Sequence, residues 1–217
     1  MTLPVLILLD GVLYAAVLFL LAAGLTLIYG VMRILNIAHG SFYALGAYAG
    51  TTLVLAYLAM REPGPLMYLA LLVGGLLAGV VVLLGIRATR LGRMIVAVTA
   101  DREISATLGI NVGRLFTLAF TVGAILATLG GALIGPLIAV SPGISVEAIV
   151  LAFAVVVIGG LGSLEGAALG ALIVGVTRAA AVHLLPEAEL ATVYLIMVAV
   201  LLFRPRGLFG ELEMRRI

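Results

Sequence analysis

The chain has 217 residues, 65% of them hydrophobic and only 10% charged, with a mean hydropathy of +1.36. A soluble globular domain carries about 45–50% apolar and about 25% charged residues, so this composition excludes one and predicts an integral membrane protein. The net charge of +2 is too small to suggest nucleic-acid binding, and the absence of cysteine excludes disulfides, thiolate metal sites and a cysteine nucleophile.

A bilayer core of about 30 Å needs about 20 apolar residues in a helix. Seven stretches qualify. The first runs from about Val12 to Tyr29, with Asp10 just before it. A carboxylate at the centre of a span costs about 2.5–3.5 kcal/mol on insertion scales, so Asp10 is expected at the membrane interface. No basic n-region or small-residue cleavage site precedes this span, which predicts a retained helix rather than a signal peptide. The second runs from about Ile37 to Met60, and Arg61-Glu62-Pro63-Gly64-Pro65 is a turn by composition. The third is about Leu66–Ile86.

Then comes the one polar island, Arg87 to Arg114, with five arginines and the run Asp101-Arg102-Glu103. It must lie outside the bilayer. Thr99 or Asp101 is suited to cap a short helix there, and Asp101 and Glu103 near its start complement the helix dipole. Ile104 and Leu108 fall on one face, and Gly109 stands where a helix ends through a left-handed residue. The stretch predicts a short amphipathic helix suited to docking in a groove of a soluble partner. A merely solvated connector is the simpler alternative.

The fourth span is about Leu115–Ile138, followed by the turn Ser141-Pro142-Gly143; the fifth is about Ile144–Ile158. Gly159-Gly160-Leu161-Gly162-Ser163 interrupts the chain before the sixth, Leu164–Leu184. Pro186, Glu187 and Glu189 form a polar turn, and Leu190–Phe203 is the seventh. Arginines set orientation. One side receives Arg33, the central loop, Arg204, Arg206, Arg215 and Arg216, against Arg61, and Arg178 within the sixth span, on the other. The rich side is expected to be cytoplasmic, with the N-terminus outside and the C-terminus inside. The fold class is therefore an all-α polytopic bundle of about seven spans, one transmembrane domain over 1–217 with its loop at 87–114.

Glycines four apart recur at Gly46/Gly50, Gly75/Gly79, Gly131/Gly135 and Gly166/Gly170. Such pairs let helix backbones approach closely in lipid, either within the bundle or at a dimer face. Gly40–Ala47 also echoes Gly162–Ala171 faintly, a hint of two interrupted segments in matching positions.

Enzymatic readings fail on geometry. His39 and Ser41 are too close in sequence to face each other on a helix. Ser163 and His183 lie at opposite ends of one span, about 30 Å apart at 1.5 Å per residue. With no lysine a Walker A motif is impossible, and no metal-ligand spacing exists. Neither a catalytic group nor a cofactor is expected.

Several stretches carry a resemblance. Glu103-Ile104-Ser105 followed by Gly109 is similar to the coupling-loop pattern E-A-A-x-x-x-G of ABC-importer permeases. Ala100–Glu103 through Gly109-Ile110-Asn111, Gly24–Arg33 with Asn36–Gly40, Gly159–Ser163 with Gly166, Ala167 and Gly170, and Phe203–Gly210 resemble, in order, the branched-chain amino-acid permeases. These are the inner-membrane subunits of high-affinity leucine/isoleucine/valine importers. The resemblance implies a permease in the cytoplasmic (inner) membrane of a prokaryote, carrying branched-chain or related amino acids. It implies as partners two cytoplasmic ATP-binding subunits, a second homologous permease or a copy of this chain, and a periplasmic or extracellular substrate-binding protein. Asp101, Arg102, Glu103 and Gly109 would couple to the ATPase, with Arg102 and Glu103 in polar contact with its groove.

Asn36, His39, Gly40, Gly160, Gly162, Ser163 and Glu165 would line the translocation path. The plainer reading of His39 and Gly40 is a polar turn at the cytoplasmic interface, where His39 caps or snorkels. His183 is expected at the opposite interface; Arg178 would pair with Glu187 or Glu189, or snorkel. Two departures from the family stand out: about two spans fewer before the loop, and Glu165 where proline is common. Import of urea or short amides is an alternative, as is an energy-independent channel or an assembly subunit.

Overall fold

The structure, a computed structural model, describes residues 3–59, 73–74, 77–82, 84–85, 88–138 and 140–210. The described residues form eight α-helices with short 3₁₀ turns and no strand. They are α1 (Leu3–Met32), α2 (His39–Leu58), α3 (Arg90–Ala100), α4 (Arg102–Thr107), α5 (Val112–Ile134), α6 (Ile144–Gly159), α7 (Leu164–Leu184) and α8 (Glu189–Phe203). Much of the expected third span, Leu66–Ile86, and all of the Arg61–Pro65 turn, Arg87, Arg215 and Arg216 fall outside the described residues. Within that span residues 77–82 are helical.

Among the described residues, five helices are long and apolar enough to cross a bilayer: Leu3–Met32, His39–Leu58, Val112–Leu137, Leu164–Leu184 and Pro186–Phe203. The fifth expected span, α6, has only 16 residues, about 24 Å at 1.5 Å each. The reason is visible in its neighbours. Gly40, near the start of α2, packs on the Ser145 carbonyl and Ile149, so α6 begins well inside the bundle.

α1 is the central rod. It is apolar on every face, as a fully surrounded helix must be, and from Val17 to Ile28 every residue is buried. It packs between α5 and α7 and also touches α6. Gly11 meets Val176 and Gly30 lies by Gly162, so α1 and α7 run antiparallel. Gly24 and Gly123 each face the other's carbonyl, while Gly130 lies against Val17 and Leu20; α1 and α5 are antiparallel too.

The glycine pairs serve packing within this chain. Gly46 and Gly50 of α2 lie on the Thr128 and Ala132 backbone of α5, and Gly131 of α5 and Gly135 just after it lie on the Tyr43 and Ala47 backbone of α2. The two pairs are each other's partners. Gly166 faces Gly159, and Gly170 meets the Val155 carbonyl, fastening α7 to α6. Gly79 rests on the Phe19 ring; Gly75 is outside the described residues. At Gly46, Gly50, Gly131, Gly135, Gly166 and Gly170 a Cβ would strike a neighbour's main chain, so only glycine permits the approach.

The stretch after α8 also packs on this framework. Leu208 and Phe209 donate from their backbone N–H groups to the Ile158 and Gly159 carbonyls, at 2.9 and 2.8 Å. The stretch after Phe203 thus satisfies carbonyls that the end of α6 leaves without intrahelical partners. Gly160, at φ +107, lets the chain turn there, and a side chain on it would meet Phe209 and Gly210.

Candidate functional site

Two regions matter: the helix pair α3–α4 at one end of the bundle, and the polar residues placed at different depths along α1. α3 begins at Thr89, whose hydroxyl accepts from the Gly92 N–H at 3.1 Å. Its apolar residues Leu91, Met94, Ile95 and Val98 follow helical spacing, and Met94, Ile95 and Val98 join Leu27, Val31, Leu115 and Ala119 in a small second core. Sequence reasoning missed α3. The Thr89 cap and this spacing were its signals, overshadowed by the arginines between them.

α4 has caps at both ends. The Asp101 carboxylate accepts from the Ile104 N–H at 3.0 Å, fixing the start. At the other end Gly109 has φ +87, the Gly109 N–H bonds to the Ala106 carbonyl at 3.0 Å, and the Ile110 N–H to that of Ser105 at 3.1 Å. This is the paired-bond C-cap that glycine favours. Asp101 rather than Thr99 is the cap; the Thr99 hydroxyl donates to Ile95 O instead, at 2.8 Å. Glu103, Ile104 and Leu108 are exposed, and Ser105 is buried beneath them.

Arg102 departs from expectation. Instead of facing outward, its guanidinium donates to the Val31 carbonyl at 2.8 Å and lies 4.7 Å from the centre of the Phe116 ring. A cation over an aromatic face is attracted by the ring quadrupole. The residue binds α4 to the end of α1 and the start of α5. Arg33 adds a second tie, donating to the Thr99 carbonyl at 3.2 Å from a left-handed backbone, φ 56. Gly30 lies near both Thr99 and Gly162. The α3–α4 junction, the end of α1 and the α6–α7 turn therefore meet at one place.

The residues expected on the path separate into two depths. His39 is fully buried, and its Nε2 lies 3.0 Å from the Leu21 carbonyl, with Gly24 against the ring. Leu21 and Gly24 lie well back from Met32; the eight residues from Gly24 to the helix end span about 12 Å. So α2 begins inside the bundle and His39 neither snorkels nor sits at an interface. Asn36 supports this start, its carbonyl accepting from the His39 N–H at 3.1 Å, and Gly40 seats it on α6. Gly160, Gly162, Ser163 and Glu165 lie instead near Gly30, where the Ser163 hydroxyl caps α7 by accepting from the Gly166 N–H at 3.0 Å. Glu165 is exposed in the first turn of α7. The two sets stand about 9 Å apart along α1, counted from Gly24 to Gly30. The faint echo between them marks two helix starts, those of α2 and α7.

At the end of the bundle away from α4, Arg178 of α7 pairs with Glu189 at the start of α8 and lies 3.7 Å from Glu147 of α6. Its guanidinium is 4.1 Å from the Tyr14 ring centre on α1. His183 sits 2.7 Å from Asp10, so it is tied to α1 rather than simply interfacial.

A bundle of apolar helices, with a short capped helix outside it pinned to the central span, is the build of a polytopic membrane protein. The chain belongs to the family of branched-chain amino acid transport system permease components, whose model matches residues 7–88 and 80–203. The two matches meet near the end of the expected third span, where the sequence looks shortened. The chain is 36% identical over 134 residues to the high-affinity branched-chain amino acid transport system permease protein LivH of Salmonella typhimurium. It is 35% identical to LivH of Escherichia coli and 37% identical to BraD of Pseudomonas aeruginosa over the same length. Each match takes in 61% of this chain and 44% of the relative, so the chain spans about half the length of the curated relatives it matches. No solved structure matches.

Proposed function

We propose that this chain is the permease subunit of an ABC importer for branched-chain or related amino acids, in the cytoplasmic membrane of a prokaryote. The arginine-rich end, with α3 and α4, faces the cytoplasm; Leu3 lies at the outer end. Two separate ATP-binding subunits grip α4 and drive the cycle. A second homologous permease, or a copy of this chain, completes the pair, and a periplasmic or extracellular binding protein delivers the substrate.

One observation carries this reading: α4 is capped at both ends, turns Glu103, Ile104 and Leu108 outward, and is anchored inward by Arg102 to the Val31 carbonyl. Such a knob fits a partner's groove and transmits movement, because its inner side is bonded to the central span. In this arrangement Asp101 and Gly109 shape the knob, Glu103 meets the ATPase, and Arg102 connects the knob to α1. Asn36, His39 and Gly40, where α2 starts within the bundle, are the better path candidates. Transporters use such interrupted helices near their substrates. Gly160, Gly162, Ser163 and Glu165 belong to the cytoplasmic mouth.

Co-purification from the native host tests the reading. Recovery of two ATP-binding subunits and a second permease, with ATP-dependent leucine uptake after reconstitution, is the expected result. A chain that purifies alone and conducts without ATP would overturn it.

A further inference from the structure

Arg178 is the one cation of α7, and three other helices reach it. Glu147 comes from α6, Glu189 from α8 and Tyr14 from α1. Charges within a membrane bundle are expensive and are kept where they act. A structural role is the first alternative, since one ion pair would fasten α7 to α8. The cluster holds more than that role needs. One cation faces two carboxylates, so one negative charge is left over. Glu189 takes the close pairing, whereas Glu147 stays at 3.7 Å, outside hydrogen-bonding reach, and half of its side chain is exposed. On the other side of the ledger the Arg178 Nε–H is buried and has no acceptor. An unused buried donor costs free energy. The cluster therefore offers an unused donor on a cation and an underused carboxylate a few ångströms apart.

Beside them lies a cavity of about 20 Å³, room for about one water. Tyr43 lines it, and Leu18, Leu21, Ile144 and Leu151 form its apolar wall. It sits between the inward-starting ends of α2 and α6, the two helices that leave backbone termini inside the bundle.

We propose that Arg178 and Glu147 form the entry site for a zwitterionic aliphatic α-amino acid: Arg178 binds the carboxylate, Glu147 the ammonium, and the leucine-lined cavity, opened, the side chain. Fork-shaped guanidinium groups bind carboxylates in this way. The site is closed in this conformation, with Glu189 holding the position the substrate carboxylate takes. This inference rests on the reading of the chain as an amino-acid permease subunit and adds the place where the permease itself reads the substrate.

The test is ligand binding to the purified full chain in lipid nanodiscs, followed by saturation-transfer NMR. The probes are leucine, leucinamide, which lacks the carboxylate, and 4-methylpentanoate, which lacks the ammonium. Arg178→Gln should weaken leucine about 10- to 100-fold, the scale of one charge-assisted hydrogen bond, and leave leucinamide unchanged. Glu147→Gln should weaken leucine and leave 4-methylpentanoate unchanged. Arg178→Lys, which keeps the charge for Glu189, should bind leucine better than Arg178→Gln and secures the comparison if the glutamine variant folds poorly. Equal weakening of all three probes in both variants would reduce the cluster to a structural tie and overturn the proposal. So would wild-type leucine affinity in either glutamine variant, or no binding to the wild-type chain while the assembled importer takes up leucine. Failure of the assembled importer to take up any amino acid would strike the importer reading itself, whatever the nanodiscs show.

Discussion

Arg102 hydrogen-bonds to the carbonyl of Val31, 71 positions earlier, at 2.8 Å. Val31 lies at the end of α1, where helix carbonyls lack intrahelical partners, so the bond satisfies a group that would otherwise need water. With Phe116 beneath the same guanidinium, one side chain joins α4, α1 and α5. Force applied to the outward face of α4 reaches α1 directly. From there α1 touches His39 through Leu21 and Arg178 through Tyr14.

Arg102→Ala removes a charged hydrogen bond worth about 1.5–3 kcal/mol and a stacking contact worth about 0.5–1 kcal/mol. In the assembled importer, leucine uptake should fall about tenfold or more, while ATP hydrolysis continues. Arg102→Lys should fall between, since it keeps the charge but not the planar fork. Parallel uptake and hydrolysis assays read this; equal loss of both would point to failed assembly instead.

Glu103→Arg reverses a charge on the exposed face of α4 and removes a carboxylate from its first turn, where the helix dipole favours one. The variant should insert normally and uncouple hydrolysis from uptake. Unchanged uptake would remove Glu103 from the proposed ATPase contact.

Gly109→Val forces a β-branched residue into a left-handed conformation at about 1–2 kcal/mol, at a position with open space around it. The cost is therefore conformational, not steric. Gly109→Asn, better suited to that conformation, should retain most of the coupling that Gly109→Val loses. Uptake normalised to the inserted protein distinguishes them.

Gly131→Val drives a side chain into the Tyr43 main chain at the α2–α5 contact. Overpacking of this kind costs about 1–3 kcal/mol, and a main chain yields less readily than a side chain. Detergent-solubilised protein should melt at lower temperature. Gly143→Ala, at a glycine with nothing within 4 Å of the added carbon, should melt like wild type.

Asp10→Ala removes the 2.7 Å contact with His183. The Asp10 side chain is 57% exposed, and exposed pairs contribute about 0–1 kcal/mol. Melting should therefore shift far less than in Gly131→Val. A comparable loss would mean that this pair fastens α1 to α7 more strongly than its exposure suggests.

The sequence by itself determined what depends on near neighbours and on composition. Hydrocarbon-like blocks named the membrane spans, because a bilayer leaves helices few other ways to satisfy the main chain. Gly109 marked the end of α4 and Thr99 or Asp101 its start, because caps act within a few residues. The tertiary structure decided what depends on packing between distant segments. Only it shows α2 starting beside Leu21, since nothing in Asn36–Gly40 records how far the chain folds back along α1. The resemblance put Arg102 at a partner's groove; the Val31 carbonyl and the Phe116 ring hold it against its own bundle instead. Arg178 was legible as an unusual charge with a partner at Glu189 nearby in sequence. Its position between Tyr14 and Glu147 required α1, α6 and α7 to converge, and that convergence rests on glycines that bring their backbones together.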